Sequence, residues 1–149
     1  MELDSLYQEV ILDHYKHPLN KGLSPTYSVQ VHHINPSCGD EITLNLIAEA
    51  GVVKRITWDG VGCAISQASV SIVSDLLLNK NIFDAEAIVA EFVELMHSKG
   101  TKEGNPEVLE DAVAFAGVSK FPARIKCALL GWMAFRDAAA RITKTTEGV

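Results

Sequence analysis

The sequence has no apolar run that reaches the ~18 residues a membrane-spanning helix needs, so no membrane partner is expected. It has no cluster of lysine and arginine, and its net charge is −6. Nonspecific nucleic-acid binding depends on concentrated positive charge, which excludes that class of partner. Met1-Glu2-Leu3-Asp4 lacks the basic-then-apolar order of a secretory signal. There is no internal repeat and no low-complexity segment. Cysteine is scarce and odd in number, 3 in 149 residues. Disulfide frameworks use cysteines in pairs and belong to secreted chains. The expected compartment is therefore the cytoplasm, where such thiols are free, catalytic or metal-bound.

What remains is the composition of an ordinary globular chain, 48% hydrophobic and 21% charged. A chain of this length buries roughly 68–70% of its unfolded surface, enough for one core without disulfides. Residues 1–149 are accordingly expected to form one domain.

Along the chain, Ser5-Leu6-Tyr7-Gln8 matches a capping box, and Leu6, Val10, Ile11 and His14 continue at helical spacing. Pro18 ends that helix and Asn20-Lys21-Gly22 turns the chain. Tyr27 to Ile34 reads as a strand, followed by the loop Asn35-Pro36-Ser37-Cys38-Gly39-Asp40. Ile42, Leu44 and Leu46 mark a second strand, and Val53 to Trp58 a third after the return at Glu49-Ala50-Gly51. Gly60-Val61-Gly62 leads into a helix from Ala64 to about Leu78, whose first half is small and hydroxylated and so lets other backbone approach closely. A third helix is expected with Asp84 as its cap, and a fourth from Asn105-Pro106 to a stop at Gly117. The last runs from about Ala123 to Ile142, with a polar, frayed tail beyond. Helix, three strands, then four helices implies an α+β fold, a small three-stranded antiparallel sheet with helices packed on one face. Trp58 and Trp132 are expected in the core.

The cysteines sit among turn residues and at helix starts. The second and third strands form a hairpin, so the start of one and the end of the other share an end of the sheet. That places Cys38, Asp40 and Cys63 together, and Cys127, in the first turns of the last helix, can reach the same end. Cys63 at a helix start gains from the unpaired N–H groups there, which favour a thiolate. Three thiolates and a carboxylate suit tetrahedral zinc or an iron–sulfur cluster. The ligands are dispersed rather than paired as C-x₂₋₄-C. By spacing alone, a metal site, a metal-free redox site and three unrelated buried cysteines are all open.

The residues around the cysteines resemble three motifs of the IscU/NifU N-terminal family of iron–sulfur assembly proteins. These are Asn35 to Asp40, Gly60-Val61-Gly62-Cys63-Ala64-Ile65-Ser66-Gln67-Ala68-Ser69, and Arg124-Ile125-Lys126-Cys127-Ala128. Asp13-His14-Tyr15-Lys16-His17-Pro18-Leu19-Asn20-Lys21-Gly22 resembles the family's first helix and turn. The SufU branch is the more similar one. Lys126 stands where the IscU branch has a histidine, and the polar loop and helix around 98–117 resemble the SufU insertion. Phe121-Pro122-Ala123-Arg124 replaces the chaperone-binding motif of IscU, so chaperone handling is not expected.

The resemblance implies a zinc-dependent sulfurtransferase that accepts persulfide sulfur from a SufS-type cysteine desulfurase and passes it to the SUF scaffold complex. It implies Cys38, Asp40, Cys63 and Cys127 as zinc ligands, with Cys38 as the sulfur acceptor, freed when a partner histidine takes its place at the metal. Arg124 joins Cys38 in the catalytic set, contacting the partner or the Cys38 thiolate; the alternative is a solvated charge. Lys126 is a surface residue or a charge behind the ligands. His32 and His33 lie on opposite faces of a strand and neither is expected to be a ligand. The alternative function is an iron–sulfur scaffold carrying a transient cluster on the same ligands, and a further one is a structural zinc domain serving as an adaptor.

Overall fold

A computed structural model describes the chain over residues 5–147, with side chains from residue 8 to residue 143. Helix α1 (Ser5–Lys16) precedes three strands, β1 (Val29–Asn35), β2 (Asp40–Glu49) and β3 (Val52–Val61). Helices α2 (Ala64–Leu76), α3 (Ile82–Met96) and the short α4 (Pro106–Leu109) follow. A 3-10 segment (Glu110–Lys120) then leads into α5 (Pro122–Glu147). The side chains of the Ser5–Gln8 capping box before Gln8 lie outside the described residues.

The strands form an antiparallel sheet in the order β1-β2-β3. Their alternation sends Val31, Ile42, Leu44, Leu46, Ile56 and Trp58 into the core, all buried. α5 crosses β1 and β2, while α2 covers β3. The other face is partly roofed by the chain before β1. Asn45 donates to the Ser24 carbonyl at 3.0 Å, and the Ser24 N–H donates to Thr57 Oγ1 at 3.0 Å. Asn20 to Gly22 lies along the edge of β3, with Gly22 N–H donating to the Trp58 carbonyl at 2.7 Å.

The small residues of α2 do what their size permits. A Cβ on Gly131 of α5 would stand 2.7 Å from Val70 Cβ, so the two helices touch through glycine. Ser69 donates to the Ala128 carbonyl at 2.6 Å and accepts from the Trp132 indole at 2.8 Å. Buried hydroxyls on this helix are thereby paired rather than left to carry a desolvation cost of about 1–3 kcal/mol each. Phe92 of α3 stacks on Trp132 with ring centroids 3.8 Å apart and meets Phe115 edge-on at 6.1 Å. Both tryptophans are fully buried, as their apolar strand and helix faces require.

Several boundaries differ from expectation. Tyr27 is exposed and precedes β1. α3 is capped by Asn81, whose side chain accepts the Asp84 N–H at 2.7 Å; Asp84 sits in the first turn instead. Either residue type caps well, and the path of the chain between α2 and α3 decides between them, with the Ile82 N–H donating to the Gly51 carbonyl at 2.8 Å. Asn105 and Pro106 do form the cap and first residue of α4, but Gly117 does not stop the helix, which tightens into 3-10 geometry and runs to Lys120. α5 continues past Ile142 to Glu147.

Candidate metal centre

The pairing Asn35↔Asp40 closes the β1–β2 connection, and Glu41↔Val61 puts the end of β3 beside the start of β2. The loop carrying Cys38 and the turn carrying Cys63 therefore share one end of the sheet. Asn35 organises the loop. Its carbonyl accepts from Cys38 N–H at 3.2 Å and Gly39 N–H at 3.0 Å, and its Oδ1 from Ser37 N–H at 3.3 Å. Gly39 has φ +71°, a left-handed conformation that glycine adopts without a Cβ penalty. Cys38 is held exposed at the tip.

Asp40 opens β2 and is completely buried. Its Oδ1 accepts the N–H of Cys63, the N-cap of α2, at 3.0 Å. The free N–H of the helix start thus fixes the carboxylate, and the Cys63 thiol makes no capping bond of its own. Gly62 makes this approach possible: a Cβ there would lie 2.5 Å from both Asp40 Oδ1 and Ser66 Oγ. Asp40 Oδ2 is buried with no hydrogen-bond partner.

Cys127 is buried on the first turns of α5, and its Sγ lies 3.2 Å from Cys38 Sγ. Burial pushes the Cys127 thiol far up, and the neighbouring Cys38 thiol, Asp40 carboxylate and Cys63 thiol add to the push. A thiol so placed holds its proton unless a cation joins it. The ligand atoms of Cys38, Asp40 and Cys127 all lie within 4.8 Å of one another. Cys63 borders this group, close to Cys127, but its Sγ does not fall within that mutual spacing.

Two sulfurs and a buried carboxylate with one oxygen unpaired, their ligand atoms within 4.8 Å of one another, are a donor set that fits a borderline-soft divalent cation. An orphaned buried carboxylate oxygen carries a desolvation cost that a cation would cancel. The chain matches the family described as NifU-like N terminal domain over residues 6–128. The protein belongs to that family. It is 41% identical over 139 residues to the zinc-dependent sulfurtransferase SufU of Bacillus subtilis (strain 168), covering 93% of this chain and 92% of the relative. It is 37% identical to the iron–sulfur cluster assembly scaffold protein IscU of Streptococcus pyogenes serotype M1, covering 94% of this chain and 86% of that one. Among solved structures, a SufU from Fervidobacterium islandicum AW-1, described as an iron–sulfur cluster assembly scaffold protein for the SUF system, superposes with TM-score 0.78 at 29% identity. It covers 88% of this chain and 94% of its own.

In this NifU-like domain, Arg124 is exposed and lines a groove of about 360 Å³ with Cys63, Ala64, Ile65 and the α1 residues Gln8, Ile11 and Leu12. Lys126 is exposed on the same helix turn. The two strand histidines are engaged elsewhere: His32 with Glu41 at 2.8 Å and Thr43 at 2.8 Å, His33 with Asp137 at 2.9 Å. The role of Asn35 was missed in the sequence, although an Asn two residues before a backbone N–H that it can accept, with proline between, is an Asx-turn signal. Also unforeseen is the bracing of α1. His14 Nδ1 meets Ser71 Oγ at 2.9 Å and its Nε2 meets Asp111 Oδ2 at 3.0 Å, which ties α1 to α2 and to the 3-10 segment.

Proposed function

We propose that this protein is a sulfurtransferase of iron–sulfur cluster assembly that accepts persulfide sulfur on Cys38 from a SufS-type cysteine desulfurase and passes it to a SUF scaffold complex. Cys38, Asp40, Cys63 and Cys127 would hold Zn²⁺. The observation that carries the reading is the buried Asp40 carboxylate, with one oxygen spent on the Cys63 N–H and the other unpaired beside Cys38 and Cys127. Zinc, when bound, keeps its thiols ionised at neutral pH and does no redox chemistry.

The division of labour among the thiols follows from their placement. Cys38 is exposed on a loop, so an incoming persulfide can reach it; Cys127 is buried in α5. Cys38 Sγ attacks the terminal sulfur of the desulfurase persulfide, the sulfur–sulfur bond breaks, and the desulfurase thiolate leaves. Arg124, exposed beside the Cys63 groove, supports partner contact near the reacting sulfur. The chain acts as one domain over 1–149, with 98–117 as an insertion that packs through Asp111 and Phe115. Free thiols imply a reducing compartment, the cytoplasm, and among the described residues no helix is long and apolar enough to cross a membrane.

The IscU-named relative supports a second reading, a scaffold that carries a cluster on the same ligands. Metal analysis of purified protein separates the two: one zinc per chain and no colour, against iron, sulfide and a brown solution. A desulfurase assay with and without the protein, with mass spectrometry of the peptide holding Cys38, tests the transfer. Faster turnover and one added sulfur on Cys38 support it. No added sulfur on that residue overturns the assignment.

A further inference from the structure

Cys38 and Cys127 stand close enough to react with each other when no metal is held between them. One thiol is exposed at a loop tip, the other is buried behind it, and their sulfurs are 3.2 Å apart. Reactive cysteines that sense oxidants share this plan: an accessible sulfur that reacts first, next to a second that resolves it. The structure assigns Cys127 as the resolving thiol for oxidised Cys38, so that hydroperoxides convert the metal-free protein to a Cys38–Cys127 disulfide.

The chemistry closes without an outside reductant. Cys38 Sγ attacks one peroxide oxygen, the O–O bond breaks, and the departing hydroxide takes the Cys38 thiol proton and leaves as water, giving a sulfenic acid on Cys38. Cys127 Sγ then attacks Cys38 Sγ, the S–O bond breaks, and the Cys127 proton leaves with that oxygen as water. Two thiols lose two electrons and two protons in all, and one peroxide becomes two waters.

Cys127 wins over Cys63 by distance. Cys127 lies with Cys38 inside the 4.8 Å group and Cys63 does not join it. The buried sulfur also lies behind the reactive one, where a second peroxide arrives more slowly than the neighbouring thiol. The crosslink removes two candidate metal donors at once, so oxidation reversibly dismantles the centre. This inference stands on the sulfur geometry and holds whether or not the protein transfers sulfur.

The test uses the full-length chain, stripped of metal with a chelator, treated with hydrogen peroxide near one equivalent and alkylated under non-reducing conditions. The expected product loses two hydrogens in intact mass, shows a peptide pair joining Cys38 to Cys127, fails to take up added zinc, and regains uptake after a dithiol reductant. Cys63→Ser is expected to give the same crosslink. Cys127→Ser is expected to leave Cys38 as sulfenic acid that proceeds to sulfinic acid. A crosslink through Cys63, or Cys38 overoxidised in the unmutated chain with Cys127 untouched, overturns the assignment. Peptide mapping of the unmutated protein decides this even where a variant folds poorly.

Discussion

Asp40→Asn should raise the stability of the metal-free protein and lower that of the zinc-loaded protein. The side chain is fully buried, with Oδ1 bonded to the Cys63 N–H at 3.0 Å and Oδ2 bonded to nothing. Asparagine keeps the accepting oxygen, so the α2 N-terminus stays tied to β2. It replaces the unpaired carboxylate oxygen with a neutral amide. An unsatisfied buried polar group costs about 1–3 kcal/mol, and an amide facing weakly accepting sulfurs recovers only part of it. The net gain is about 1 kcal/mol, or ~2–4 °C in Tm for a chain of this size. With zinc the sign reverses. A ligand at a thousand times its Kd adds about 4 kcal/mol, and each tenfold loss of affinity removes ~1.4 kcal/mol of that. Thermal melts of both proteins, in chelator and in excess zinc, read the two signs directly. If the substitution lowers Tm equally in chelator and in zinc, Asp40 is a structural cap and the reasoning from its unpaired oxygen fails.

Three further outcomes follow from contacts described above. Gly62→Ala puts a Cβ 2.5 Å from Asp40 Oδ1; its backbone φ is not in the left-handed region, so the defect is local, and zinc stoichiometry should fall well below one per chain while the circular dichroism spectrum is kept. Gly131→Ala drives a Cβ into Val70 at 2.7 Å, an overpacking cost of about 1–3 kcal/mol that exceeds the alanine helix gain because the Val70 backbone lies just behind; an unchanged or higher Tm would show that α2 and α5 can separate freely. The Asp137 carboxyl is held below its usual range chiefly by the hydrogen bond from His33, with Arg141 assisting. Its contribution is present above the unfolded value of about 3.9 and is lost as pH falls through the lower folded value, so Asp137→Asn should flatten the fall in stability on acidification in that window, as followed by urea melts across pH.

Much of the architecture is legible in single residues. Alternation at Ile42, Leu44 and Leu46 reports a strand with one buried face, and the Pro106 and Pro122 positions report helix starts, because proline fixes φ and gives up only an N–H that the first turn does not use. The ends of the 3-10 segment and of α5 were not legible. Where a helix stops depends on whether tertiary packing holds the next turn, as it does through Val118 and Ser119, both buried. The choice of Asn81 over Asp84 as cap is likewise settled by chain path, since the two are equivalent by propensity.

For the site, residue order alone put Cys38, Asp40 and Cys63 at one end of the sheet, since hairpin connectivity brings the start of β2 beside the end of β3. The placement of Cys127 against Cys38, the burial of Asp40 with an oxygen to spare, and the displacement of Cys63 from the mutual group were decided only in three dimensions. Each depends on how α5 and α2 dock, and helix docking is set by side-chain volumes across the interface, such as Gly131 against Val70, which no local pattern in the chain reports.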